Sequence, residues 1–235
     1  MRRATLFLGL LVGLYSCDVF YEDSKRLLFT GKVIDEDGAE ISNLPVTVYT
    51  NGPSVISGSF REDLAEGSTD ESGNFALTSL SPEGNNRIDM EINSRFTNGH
   101  SPVYASATVI GLEKSDLQDA AYRLMDLRLE RIVTSRLTIK RTSNTSDTLF
   151  INIQTSPIDK VLYVDSSLQP EDLSFSFFPT DTLLPTENEK SLPLISILAK
   201  DTSAVYFKIT NTSTAPVGIE KLTLSSNSDS YEFEF

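Results

Sequence analysis

From Leu28 onward, apolar side chains recur at every second position in short runs, and each run stops at a turn signal within a few residues. A period of two sends successive side chains to opposite faces of an extended strand, so one face of each run is buried and the other is wet. Phe29, Gly31 and Val33 share one such face, and Val46, Val48 and Thr50 resume the alternation after Pro45. Ile88, Met90 and Ile92 alternate in the same way with Asp89, Glu91 and Asn93. Between the runs, Asp35-Glu36-Asp37-Gly38 and Asp70-Glu71-Ser72-Gly73 read as tight turns. The pattern predicts an all-β chain whose strands bury one face each, as in antiparallel sheets.

Ser115 and Gln118 have capping-box spacing ahead of Ala120, Ala121 and Leu124, which predicts one short helix. Leu127 and Leu129, alternating with charged neighbours, close a first domain whose boundary falls near Val133. Seven further alternating runs follow, at 137–139, 149–153, 161–164, 192–198, 205–209, 219–224 and 231–235. That number of short strands, separated by Ser, Thr, Asn, Asp and Pro, predicts a second β-sandwich. The stretch from Pro170 to Pro193 is the expected long loop, and Gly52 to Glu66 reads as an insertion.

The first sixteen residues carry a different signal. Arg2 and Arg3 precede an apolar run from Leu6 to Leu14, the layout of a secretory signal. The run is far shorter than the roughly 20 residues a membrane-spanning helix needs. Leu14-Tyr15-Ser16-Cys17 resembles the lipobox of bacterial lipoproteins, although Tyr15 is bulkier than the residue that motif usually carries. The resemblance implies cleavage before Cys17 and lipid on its thiol. Residues 1–16 are then a signal peptide, 17–26 a lipidated tether, 27–132 the first sandwich and 133–235 the second. The expected address is the cell envelope, lipid-anchored at the outer membrane, with either its periplasmic or its surface face possible.

Cys17 is the only cysteine, so no disulfide staples the fold and burial has to stabilise it. Without Arg2 and Arg3, 18 basic side chains face 33 acidic ones, a net charge of −15. A chain so acidic repels nucleic acid, which is excluded as a partner.

Three pieces of the first domain carry a second resemblance: Gly31-Lys-Val-Ile-Asp-Glu-Asp-Gly38, then Leu44-Pro45-Val46-Thr47-Val48, then Ser68-Thr69-Asp70-Glu71-Ser72-Gly73-Asn74-Phe75-Ala76-Leu77. In this order they resemble the carboxypeptidase regulatory-like domain family, with its transthyretin-like (prealbumin-like) β-sandwich. Each piece also has a local physical reason. Gly38 and Gly73 can take the positive φ a tight hairpin requires, Asp35 and Asp70 can accept hydrogen bonds from their own turn amides, and Phe75 plants a large apolar group in the core. The resemblance covers about fifty residues and implies a non-catalytic structural or interaction module; it assigns no site residues.

No catalytic constellation stands out. His100 is the single histidine, in the turn-rich segment Asn98-Gly99-His100-Ser101-Pro102, and reads as an exposed loop residue rather than a general base. One histidine and one cysteine cannot make a zinc site. Asp35, Asp37, Glu40, Asp70 and Glu71 lack the six to eight oxygen ligands calcium takes at loop spacing, and hairpin chemistry accounts for them. No catalytic residue, metal or cofactor is expected. The functional expectation is a membrane-anchored envelope lipoprotein that binds or scaffolds a protein or glycan partner. The alternative is a structural subunit of a fimbrial or surface assembly using strand exchange, for which Tyr231-Glu-Phe-Glu-Phe235 is the candidate strand. A glycan-active hydrolase comes third, because paired carboxylates meet only in space.

Overall fold

The computed structural model describes residues 21–51, 61–83, 87–112, 120–142, 148–155, 158–163, 176–177, 181–197, 202–211, 216–225 and 230–234. All the regular structure among them is strand. In chain order these are β1 (Tyr21–Ile34), β2 (Pro45–Asn51), β3 (Arg61–Ser68), β4 (Asn74–Pro82), β5 (Ile88–Ile92), β6 (Ser106–Leu112), β7 (Ala121–Arg123), β8 (Leu127–Arg128) and β9 (Ile132–Lys140). They continue as β10 (Leu149–Thr155), β11 (Asp159–Tyr163), β12 (Ser176–Phe177), β13 (Asp181–Leu183), β14 (Glu189–Ile197), β15 (Thr202–Asn211), β16 (Pro216–Ser225) and β17 (Tyr231–Glu234).

The long strand β1 runs between β4 and the short parallel partners β7 and β8. A second sheet has the order β11-β6-β5-β2-β3. The faces these two sheets share form one core: Leu27, Phe29, Val33, Phe75 and Leu77 from the first, and Val46, Val48, Ile88, Met90, Ile92 and Val109 from the second. Every one of them sits at an alternate strand position, so the period of two in the sequence becomes the inner surface of a sandwich. Gly31 belongs to that row as well. A Cβ there would come within 2.6 Å of the Phe75 ring, because Gly31 and Phe75 face each other across β1 and β4.

A second core draws on Val133, Leu137, Ile139, Leu192 and Leu194 from the sheet β14-β9-β17, and on Leu149, Ile151, Ile153 and Leu183 from the sheet in which β10 pairs β12, β13 and β15, with β16 beyond. Pro193 lies within β14, an edge strand, where its missing N–H leaves no central ladder broken.

Several sequence expectations change. The predicted helix is absent where it can be seen: Ala121–Arg123 is strand β7, bonded in parallel to β1 through Leu28 and Thr30, while residues 113–119 with Ser115 and Gln118 lie outside the described residues. Residues 21–26, read as tether, belong to β1. The expected loop from Pro170 to Pro193 holds β12, β13 and the start of β14, and the expected insertion holds Arg61–Glu66 of β3. Residues 161–163 of the run at 161–164 belong to β11, which pairs in parallel with β6 in the second sheet of the first sandwich, across the boundary drawn near Val133, instead of serving the second core. Leu14 to Cys17 lie outside the described residues, as does Phe235.

Candidate functional site

The turns at Asp35 and Asp70 are the same structure built twice. Asp35 Oδ1 accepts the amides of Asp37 and Ala39 at 2.9 and 2.8 Å, and Asp70 Oδ1 accepts those of Ser72 and Asn74 at 2.8 and 2.9 Å. Gly38 and Gly73 take φ of 86° and 74°, the left-handed region that favours glycine. These acids are therefore turn caps. The remaining acids of the first turn, Glu36 and Asp37, hold Arg131, whose guanidinium donates to both and whose backbone amide donates to Glu36. Arg131 lies just before β9, so this clasp ties the turn to the chain segment between the two cores. No local pattern announces it, because Asp37 and Glu36 lie 94 and 95 residues from Arg131.

All these features lie at one end of the first sandwich. Backbone bonds join Val33 to Gly73, Asn43 to Thr69, Asn93 to Pro45 and Ala105 to Glu130 there. Tyr21 marks the other end: it pairs with Pro82, and its hydroxyl donates to Glu62 at the start of β3. The chain thus enters the sandwich at one pole, and the Asp turns and the 93–105 loop occupy the opposite one.

That loop is organised by Asn93, which is fully buried at φ 56°. Its Nδ2 donates to the carbonyls of Ser101, Tyr104 and Ala105, and its Oδ1 accepts the Ser101 amide at 2.7 Å. Its own carbonyl accepts from His100 Nδ1 at 2.9 Å. His100 is accordingly half-buried and engaged in the loop, not the exposed residue the turn pattern suggested. A carbonyl can only accept, so Nδ1 carries the proton.

Beneath this loop an open groove of about 830 Å³ follows the outer faces of β2, β3 and β5, opposite the core. Thr47, Arg61, Asp63, Glu66 and Glu91 line it, and Phe96 closes it at the loop end, 91% exposed. Arg61 lines its floor. The guanidinium lies 3.8 Å from the centroid of the Tyr49 ring and donates to Asp63 Oδ1 and Glu91 Oε1, both at 2.9 Å. Burial opposes its charge, but the two carboxylates outweigh it and hold the guanidinium pKa above its ordinary value. Glu91 Oε2 is buried without a hydrogen-bond partner, and burial, reinforced by Asp89 and Glu91, pushes the Tyr49 phenol up to about 12. Alongside, Asp89 is almost wholly buried and accepts from Asn51, Arg87 and the Gly111 amide, which keeps its charge paired. Among the described residues no group of three or more His, Cys, Asp or Glu side chains is arranged to hold a metal. Alternation alone put Glu91 on a wet face; its meeting with Arg61, Phe96 and Glu66 depends on strand order and loop packing.

No known protein family matches this sequence, and no curated protein does. Solved structures show distant likenesses. A candidate cell adhesion protein from Parabacteroides distasonis is 10% identical over 89% of this chain and 88% of that one, at a TM-score of 0.33. A C-terminally truncated tip fimbrial protein from Porphyromonas gingivalis is 11% identical over 85% and 82%, at 0.28. The Bacillus anthracis TIE protein is 12% identical over 89% of this chain, which spans only 33% of its length, at 0.29. Likenesses this remote carry no function to the chain.

Proposed function

We propose that this protein is an envelope lipoprotein, anchored at the outer membrane through lipid on Cys17, whose β-sandwich body is a non-catalytic binding module for a protein or glycan partner. The observation that supports it is the course of β1. It begins at Tyr21, four residues after Cys17, and runs for fourteen residues to Ile34, at the pole that carries the 93–105 loop. Four residue steps reach at most about 14 Å, so a lipid on Cys17 holds the Tyr21 pole against the bilayer. A strand of that length spans about 40 Å, and it carries Phe96 and the loop end of the groove outward. That end of the groove then faces a partner rather than the anchoring membrane. A photo-cross-linking residue at Asn98, beside the groove, should capture a partner in intact cells, whereas one at Glu83, at the anchor pole, should not. Equal capture from both positions counts against the reading. The anchor is tested separately: a palmitate analogue should label the wild type and not Cys17→Ser, and equal labelling removes it.

One observation favours a second reading, a strand-exchanging structural subunit. The four-residue β17 is an edge strand, parallel to β9, with Tyr231 and Phe233 only half-buried against the second core and Glu232 paired to Lys140 at 2.7 Å. So short a strand is held by few contacts and leaves β9 open when it departs. This reading predicts ladders that resist mild denaturation and vanish when residues 226–235 are removed. A strictly monomeric mature protein rejects it.

A further inference from the structure

Accepting the groove as the binding site, we infer that its ligand is a neutral oligosaccharide, with a sugar ring against Phe96 and its hydroxyls along Glu66, Asp63 and Arg61. Three features of the groove point to this chemistry. First, Phe96 is the one large apolar side chain among the residues lining it, and although the Arg95 guanidinium lies 5.9 Å from its centroid the ring is 91% exposed. A protein interface of standard size has an apolar centre built from several such groups; a single exposed ring instead matches the C–H face of a pyranose. Second, the groove is lined by donors and acceptors together: the Asn98 and Asn43 amides, the Ser68 hydroxyl and the Arg61 guanidinium share it with the Asp63 and Glu66 carboxylates. A hydroxyl both donates and accepts, so a polyol satisfies such a mixed set. Third, the lining holds three carboxylates, Asp63, Glu66 and Glu91, against the one guanidinium of Arg61, so the groove is negative on balance. Sulfated, sialylated or uronic chains are therefore repelled.

The test uses the whole mature chain with Cys17→Ser, on an array of neutral and acidic oligosaccharides, followed by titration calorimetry on the strongest ligand. Binding should be confined to neutral chains. Phe96→Ala should weaken it about tenfold, the size of one aromatic contact, and leave the unfolding midpoint unchanged, since the ring is exposed. Glu66→Lys should admit acidic chains. An array without neutral binders overturns the inference, and so does binding that neither substitution alters. A protein captured from Asn98 while the array stays blank also overturns it, yet leaves the broader reading standing.

Discussion

Asn93→Ala is the substitution that most directly tests how the loop over the groove is held. The side chain is fully buried; its Oδ1 satisfies one amide, and the two Nδ2 protons serve three carbonyls. Alanine leaves those groups without partners. Two to three lost bonds, partly offset as the loop opens to water, cost about 2–4 kcal/mol. The backbone adds to this, because φ of 56° is left-handed and an alanine there costs roughly 1 kcal/mol more than a glycine. The expected loss is about 3–5 kcal/mol, a large part of the roughly 5–15 kcal/mol that stabilises a typical protein. Urea unfolding followed by circular dichroism, at the same protein concentration for each variant, reads this directly. Asn93→Gly isolates the two contributions: it loses the same bonds but relieves the backbone, and should be about 1 kcal/mol less damaging than Asn93→Ala. A loss below 0.5 kcal/mol for alanine, roughly the scatter of neutral surface changes, would refute the claim that the hub organises the loop. Glycine proving worse than alanine would refute the conformational part.

Gly31→Ala drives a methyl group into the Phe75 ring and should cost about 1–3 kcal/mol. Combining it with Phe75→Leu should cost less than the sum of the single changes, as a double-mutant cycle of unfolding free energies would measure. Asp70→Ala removes both side-chain bonds of its turn and should cost about 1–2 kcal/mol by the same assay. Burial and then Asp35 raise the Tyr104 phenol; in an alkaline titration at 295 nm two further described phenols should ionise late, near pH 12: Tyr49, raised by burial and then by Asp89 and Glu91, and Tyr21, raised by burial and then by Glu62. Both groups have folded pKa values above the unfolded 10.0, so their contribution to stability is complete below pH 10 and is lost as the pH rises from 10 to 12. Tyr49→Phe should remove one late phenol, and an unchanged late amplitude contradicts the assignment.

Strand character, the two Asp-x-x-Gly turns and the core-facing residues could be read from the chain directly, because each follows from neighbours within about five residues: alternation decides which side is buried, and an Asp with a following Gly closes its own turn. The short strand at 121–123 could not. Capping spacing and alanines favour a helix locally, yet the unpaired edge of β1 supplies backbone partners that outweigh so weak a preference. β11 escaped for the same reason, since its alternation names a strand but not the sheet it joins. Pro193 looked like a loop residue until an edge position removed its penalty. The groove lies furthest from the sequence: Arg61 on β3 meets Glu91 on β5 and Phe96 in the loop after it only because β3, β2 and β5 are neighbours and Asn93 folds the loop back over them. Short-range chemistry determined which residues are buried and where the chain turns. Which strands became neighbours, and so which side chains share a site, was decided by long-range backbone pairing and core closure, whose partners no local pattern specifies.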